Sequence, residues 1–294
     1  MVNSILLLGS NTLFLNSFKD YITTEKKKIK LFNIKDYEII RSSQKKIIGK
    51  INRLKPTLIL VCGGLSGGII YNLKNYYKIL NYNTELYHKI FNILKIAKTK
   101  KILFLSASCV YPKDKKKLKE TDFLTGSLEI TSLNYSVTKI LGHCFANSIN
   151  KNVNIIIPAT IFGKYSVKDV KNSHVISSFI EKFNSKKKII ELWGSGKPKR
   201  EFIYIKDLIS AILFICEKKI NDKIINIGVQ KDLSIKQLAN TVAKVYDFKG
   251  KIKWNKNKPD GAMKKLLDSS KIYSYGWKPK YSLEKALREI KNDN

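Results

Sequence analysis

Tyr135 and Lys139 stand four residues apart in the run Tyr135-Ser136-Val137-Thr138-Lys139, a spacing that puts two side chains on one face of a helix. A fixed ammonium beside a phenol favours phenolate and draws its pKa down from about 10. Such a phenol can protonate a carbonyl oxygen as hydride reaches the carbonyl carbon. Taken alone, the pair also fits an ordinary amphipathic helix. A second group is Ser106-Ala107-Ser108-Cys109-Val110-Tyr111-Pro112, directly after a short apolar run. Cys109 there and His174 in Asn172-Ser173-His174-Val175-Ile176 are suited to exchange protons. A lone cysteine at a strand end reads equally well as a small buried apolar residue, and a lone histidine as a structural one.

Positioning these groups takes a scaffold, and the first half of the chain predicts one. Apolar runs at Ile5–Leu8, Ile29–Ile34, Thr57–Cys62, Lys101–Leu105 and Val153–Ile157 alternate with helical stretches at Leu13–Tyr21, Asn83–Ala97 and Tyr135–Ile149. That alternation is the mark of parallel β-α-β units, and runs apolar on both sides fit strands covered by helices on both faces. Ligands in such sheets bind beyond the carboxyl ends of the strands, where the Ser106–Pro112 segment falls. Further on, helices are predicted at Ser173–Phe183 and Ile205–Glu217, a strand at Ile224–Ile227, and a helix from an N-cap at Ser234 to Tyr246. Trp193-Gly194-Ser195-Gly196-Lys197-Pro198 and Lys258-Pro259-Asp260-Gly261 read as a loop and a turn, and the C-terminal stretch as a small mixed lobe.

Composition narrows the function classes. The 294 residues, 44% hydrophobic and 11% aromatic, are those of a packed protein. No apolar run approaches the roughly 20 residues that cross a bilayer, and Ile5-Leu6-Leu7-Leu8 is too short for a secretion signal. A cytoplasmic protein is expected, without a membrane partner. Cys62, Cys109, Cys144 and Cys216 form no Cys-x-x-Cys pair, so neither a disulfide framework nor a zinc or other metal site is expected. The net charge of +33 would suit a polyanion, but lysine runs such as Lys115-Lys116-Lys117 read as solvated faces of a Lys-rich composition. No aromatic–basic interleaving accompanies them, so no nucleic-acid partner is expected.

Together with Tyr135 and Lys139, Ser108-Cys109-Val110-Tyr111-Pro112, Asn172-Ser173-His174-Val175-Ile176, Trp193-Gly194-Ser195-Gly196, Arg200-Glu201-Phe202 and Lys258-Pro259-Asp260-Gly261 with Lys265-Leu266-Leu267-Asp268 resemble the GDP-L-fucose synthase family in order and spacing. The resemblance covers roughly residues 60 to 290. It implies a Rossmann-like doubly wound parallel sheet with a smaller mixed C-terminal substrate lobe. The dinucleotide-binding domain would take residues 1–163, with 201–228 returning to it, and the lobe 164–200 and 229–294. It implies epimerisation of a GDP-4-keto-6-deoxy sugar at C3 and C5, then reduction of its C4 ketone with NADP(H), NAD(H) being the alternative cofactor. Cys109 and His174 would be the epimerisation acid and base, Tyr135 the proton donor to O4, Lys139 its tuner and a contact of the nicotinamide ribose, and Ser108 a further catalytic group. Gly9, Asn11, Thr12, Lys35, Lys139 and Pro158 would hold the cofactor, and Lys182, Trp193, Arg200 and Lys265 the nucleotide. A homodimer through the helices around Tyr135–Ile149 and Asn83–Ala97 is also implied.

The sequence departs from the family where hydride transfer is served. The turn Gly9-Ser10-Asn11-Thr12-Leu13-Phe14-Leu15 keeps one glycine of Gly-x-x-Gly-x-x-Gly, with Thr12 and Leu15 at the other two places. Ala107 stands where the family has its catalytic serine, and losing one such donor typically costs about 10²–10³ in rate. Ser106 and Ser108 are the neighbouring hydroxyls. Pro158-Ala159-Thr160-Ile161-Phe162-Gly163 lacks an asparagine that contacts substrate, and Lys182 replaces an arginine. These departures keep two alternatives open: an epimerase with little or no reductase activity, and a non-catalytic paralogue that binds a nucleotide sugar.

Overall fold

Leu6, Leu60, Phe104 and Ile156 are fully buried in the interiors of adjacent strands, as two-sided covering by helices requires. The computed structural model describes residues 2–9, 12–166, 173–185, 187–258 and 260–293. The chain opens with β1 (Ser4–Leu8), α1 (Thr12–Thr24) and β2 (Lys30–Ile34). Next come α2 (Asp36–Arg41), α3 (Gln44–Leu54), β3 (Leu58–Val61), α4 (Ile69–Lys74) and α5 (Tyr76–Ile96). Then follow β4 (Ile102–Leu105), α6 (Leu133–Ser148), β5 (Val153–Pro158) and β6 (Thr160–Phe162). After α7 (Val175–Asn184), β7 (Ile189–Trp193) and β8 (Lys199–Tyr204), α8 (Ile205–Glu217) and β9 (Ile224–Ile227) complete the large sheet. The remainder is β10 (Asp232–Ser234), α9 (Ile235–Val245), β11 (Lys251–Asn255), β12 (Lys264–Lys265), α10 (Ser270–Ser274) and α11 (Leu283–Asn292).

Six strands form one parallel sheet in the order β2-β1-β3-β4-β5-β9, a Rossmann-like arrangement. The chain leaves β1 in opposite directions toward β2 and β3, so the crevice between the ends of β1 and β3 is the topological switch point. A mixed sheet, β10-β8-β12 with β6 also on β8, and the parallel pair β11-β7 build the smaller part. α5 begins at Tyr76, seven residues before the expected start, and the Asn- and Tyr-rich stretch from Tyr71 is helical on both sides of Asn75.

Glu201 joins the two parts. It is 2% exposed; Oε1 accepts from Val229 N and Gln230 N at 2.7 Å each, and Oε2 from Leu267 N at 2.9 Å. Burial raises its pKa to about 7, with the three N–H donors pulling the other way. A carboxyl whose folded pKa is raised contributes stability that is complete below the unfolded value and is lost as pH rises through the folded one. Glu201→Gln removes that titration. Calorimetry should find the gap in Tm between wild type and variant wider at about pH 5 than at about pH 8; a gap independent of pH would contradict this role.

Candidate active site

At the switch point Gly9 and Gly63 touch backbone to backbone. A Cβ on Gly63 would stand 2.6 Å from Gly9 O, and one on Gly9 2.9 Å from Gly63 Cα, so neither position admits a side chain. Asp36, at the start of α2, reaches over both glycines; its Oδ2 accepts from Gly64 N at 3.2 Å, and its Oδ1 is buried without a partner among the described residues. Burial raises its pKa to about 6, against the Gly64 N–H and the Lys139 charge. The start of α1 lies beside this crevice with its backbone donors, which suit a pyrophosphate. A close backbone cradle, helix donors and an acceptor lacking a donor fit a dinucleotide. Thr12 reaches the site's wall, and Leu15 turns aside to pack half-buried against the core.

From this crevice a cavity of about 820 Å³ runs to the smaller part of the molecule. Tyr135 and Lys139, one turn apart on α6, form part of its wall. Lys139 is 3% exposed; its Nζ donates to Leu105 O at 2.8 Å and sits 5.6 Å from the centre of the Tyr135 ring. Burial lowers its pKa to about 8, with Cys109, Cys62 and Asp36 opposing that fall. The Tyr135 phenol, expected below its ordinary value, is instead pushed well above it by burial and by Cys109; a hydrogen bond with the Ser66 side chain counters them. Enclosure outweighs the nearby ammonium here because a phenolate in low dielectric loses its hydration.

Cys109 follows β4 in a single 3₁₀ turn, Ser108–Val110, and both it and Ser108 line the cavity. His174 lies at the N-cap of α7 on the same cavity; protein around the cavity holds its pKa below the usual imidazole value. Arg200 and Lys265 are partners in register on the neighbouring strands β8 and β12. Burial lowers both pKa values, and the Arg200 charge further opposes that of Lys265. Two repelling, half-desolvated cations are a site for a compact polyanion such as a diphosphate. Trp193 closes this end, with Lys182 Nζ 5.6 Å and Lys258 Nζ 5.4 Å from its ring centre. Gly194 turns with φ +80°, and Asp260 pins the turn through Ser195 N and Oγ, both at 2.7 Å.

Of the expected residues, Thr12, Ser108, Cys109, Tyr135, Lys139, Pro158, His174, Lys182, Trp193, Arg200 and Lys265 share this one cavity. Gly9 backs the crevice from behind Gly63, whereas Lys35 is exposed beyond β2 with its Nζ 5.8 Å from the Tyr37 ring centre. Asn11, Asn172 and Pro259 lie outside the described residues. Sequence reasoning missed Ser66 and Glu129, also in the cavity wall, and His143, which pairs from behind with the wall residue Ser106. For Ser66 a signal existed: four glycines surround it in Gly63-Gly64-Leu65-Ser66-Gly67-Gly68, directly after β3.

Residues 17–228 match the model of the NAD dependent epimerase/dehydratase family. The chain is 34% identical over 244 residues to putative GDP-L-fucose synthase 2 of Arabidopsis thaliana, covering 80% of this chain and 74% of that one. It is 32% identical over 272 residues to the GDP-L-colitose synthase of Yersinia pseudotuberculosis, covering 86% and 88%. Its fold superposes on the GDP-mannoheptose C4 reductase of Campylobacter jejuni with NADP bound, with a TM-score of 0.82, 23% identity and coverage of 99% and 98%.

Proposed function

Because this chain belongs to the NAD dependent epimerase/dehydratase family, in the group of the GDP-L-fucose synthases, we propose that it epimerises and reduces a GDP-4-keto-6-deoxy sugar with NADP(H). The observation that carries the reading is the composition of one cavity. A proton-transfer set of Tyr135, Lys139, Cys109 and His174 shares it with the adjacent cations Arg200 and Lys265. The alternatives without turnover or without reduction have no such support, since both halves of the machinery are present.

Arg200 and Lys265 hold the diphosphate, Trp193 and Lys182 flank the nucleoside end, and the sugar reaches toward Cys109. Cys109 and His174 remove and return protons at C3 and C5 from opposite faces, which inverts each centre; Ser108 contacts the substrate beside them. The neighbouring C4 ketone acidifies both C–H bonds by taking their electrons into an enediolate. Tyr135 then gives its proton to O4, and Lys139 holds the tyrosine face and the nicotinamide ribose. NADP(H), when bound, supplies the hydride for C4. Gly9, Asn11, Thr12, Asp36, Gly63 and Pro158 hold it; Lys35 at the rim of β2 meets a 2′-phosphate. Residues 1–163 and 201–228 serve the cofactor, and 164–200 with 229–294 the sugar nucleotide, although Lys199–Tyr204 pairs within the smaller mixed sheet.

Calorimetry with NADPH, NADH and GDP in turn tests this assignment. NADPH and GDP should each bind, NADH more weakly; GDP without any nicotinamide nucleotide would leave only a binding protein. A homodimer is part of the proposal. Leu86, Ile90, Ile93 and Leu94 of α5 are consumed by the chain's own core, so the interface falls on the half-buried Val137, Ile140, Leu141 and Phe145 of α6. Light scattering at micromolar concentration should give twice the 33.7 kDa chain mass, and a monomer would refute it. Among the described residues no helix is long and apolar enough to cross a membrane.

A further inference from the structure

Ala107 cannot donate to the ketone oxygen, and its neighbours do not obviously replace it. Ser106 is 3% exposed, and its Oγ lies 2.7 Å from His143 Nε2, an imidazole stacked 4.4 Å from the Phe123 ring. Burial, and after it the Lys139 charge, lowers the His143 pKa to about 3, so the ring stays neutral and this hydroxyl is committed to the core. Ser108 lines the cavity from the 3₁₀ turn but makes no hydrogen bond with Tyr135.

Ser66 approaches from the opposite loop, between β3 and α4; its side chain lines the same cavity as Tyr135 and tempers the rise of that phenol's pKa. The residues on either side of it are tied down. Leu65 N donates to Asn83 Oδ1 at 2.6 Å, Asn83 Nδ2 returns a bond to Leu65 O at 3.0 Å, and Gly67 N donates to Asn72 Oδ1 at 3.1 Å. Asn83 is fully buried and also donates to Thr138 Oγ1 at 3.3 Å, which links the loop to the helix that carries Tyr135. Tyr87 Oη donates to Gly63 O at 3.0 Å. Gly64 has φ +113°, and a Cβ there would stand 2.6 Å from Tyr87 Oη and 3.0 Å from Asn83 Oδ1, so only glycine lets this loop close. A donor fixed in advance beside the reacting oxygen is what an oxyanion contact requires.

We propose that Ser66 supplies the hydrogen bond to the C4 oxygen that Ala107 cannot make. The inference rests on the reductase reading above. The ketone accepts a hydride at C4 and the Tyr135 proton at O4, giving an alcohol and a tyrosinate that water reprotonates. Ser66 keeps its proton throughout and donates to O4 while charge builds there. On this account Ala107 does not slow reduction, because the donor has moved from the loop after β4 to the loop after β3.

The experiment compares wild type, Ser66→Ala and Ser66→Ala/Ala107→Ser. It reads kcat for NADPH-dependent reduction of a GDP-4-keto-6-deoxy sugar, the Kd of NADPH, and the Tyr135 ring resonances at neutral pH by ring-labelled tyrosine NMR, assigned with Tyr135→Phe. Ser66→Ala should lower kcat about 10²- to 10³-fold, the usual worth of one such donor, leave the NADPH Kd unchanged, and shift the Tyr135 ring resonances. Adding Ala107→Ser should restore at least about tenfold. Wild-type kcat in Ser66→Ala, or a loss confined to NADPH affinity, overturns the proposal. Should wild type reduce no GDP-4-keto sugar, the reductase reading fails by itself. The Tyr135 resonances then still decide the contact, and unmoved resonances overturn it.

Discussion

Tyr135→Phe will lose ketone reduction by about 10²- to 10⁴-fold, the range for removing a positioned acid, while hydrogen exchange at C3 and C5 continues. The change removes one oxygen and keeps the ring, so the packing of the Lys139 ammonium near it survives. KM for the GDP sugar should hardly move, because the nucleotide contacts lie at the other end of the cavity, on Arg200 and Lys265. A loss in kcat with KM preserved marks an interaction made only in the transition state. Cys109→Ser should show the mirror image, with exchange at the epimerised carbons slowed and reduction of a sugar already in the product configuration retained. NADPH oxidation and proton NMR in heavy water read the two activities separately. Equal loss of both in Tyr135→Phe would contradict the division of labour between Tyr135 and the Cys109–His174 pair.

Arg200→Ala should weaken GDP binding roughly 10- to 150-fold, which corresponds to the loss of about 1.5–3 kcal/mol for a hydrogen bond to a charged group. Arg200 sits in register with Lys265, and the two like charges hold each other in a state that an anion relieves. Removing Arg200 leaves Lys265 better able to keep its own proton, so the remaining affinity should be real but less sensitive to salt. Titration calorimetry with GDP at two ionic strengths measures both effects. Unchanged affinity in the variant would remove Arg200 from the diphosphate site.

Chemistry along the chain was legible where a spacing or a run has one physical meaning. Tyr135 and Lys139 are one helical turn apart in sequence and in space. The apolar runs ending at Leu8, Leu105 and Ile227 are strands because they are too short for a helix and lie buried between covering helices on both faces of the sheet. The smaller part was harder to read. In β7 exposure alternates through Ile189–Trp193, and β11 is lysine-rich, so neither carries the apolar signal of a central strand. β12 is two residues long and exists through its pairing with β8, a contact of long sequence separation. α5 began early because Tyr76 and Tyr77, 62% and 71% exposed, hide a helix inside a polar stretch. Ser66 was overlooked because its one signal, a serine among glycines after a strand, reads equally as a linker; its meaning comes from Asn83 and Tyr87, which fasten the loop from another helix.

The pKa of Tyr135 carries the same lesson. Helical spacing predicts a cation beside the phenol, and the cation is there, but spacing says nothing of burial, which dominates. The Lys139 Nζ donates to Leu105 O, so the β4 strand end and the helix are fastened through the residue that also faces the tyrosine.

The most direct test of the central claim is one reaction in heavy water. The unmodified protein is mixed with GDP-4-keto-6-deoxy-mannose and NADPH, and the product is read by NMR while NADPH absorbance is followed. The account predicts NADPH oxidised in equal amount to product, deuterium at C3 and C5, and protium at C4 delivered from the cofactor. GDP binding with neither deuterium incorporation nor NADPH oxidation, for this sugar and for its heptose counterpart, would contradict it.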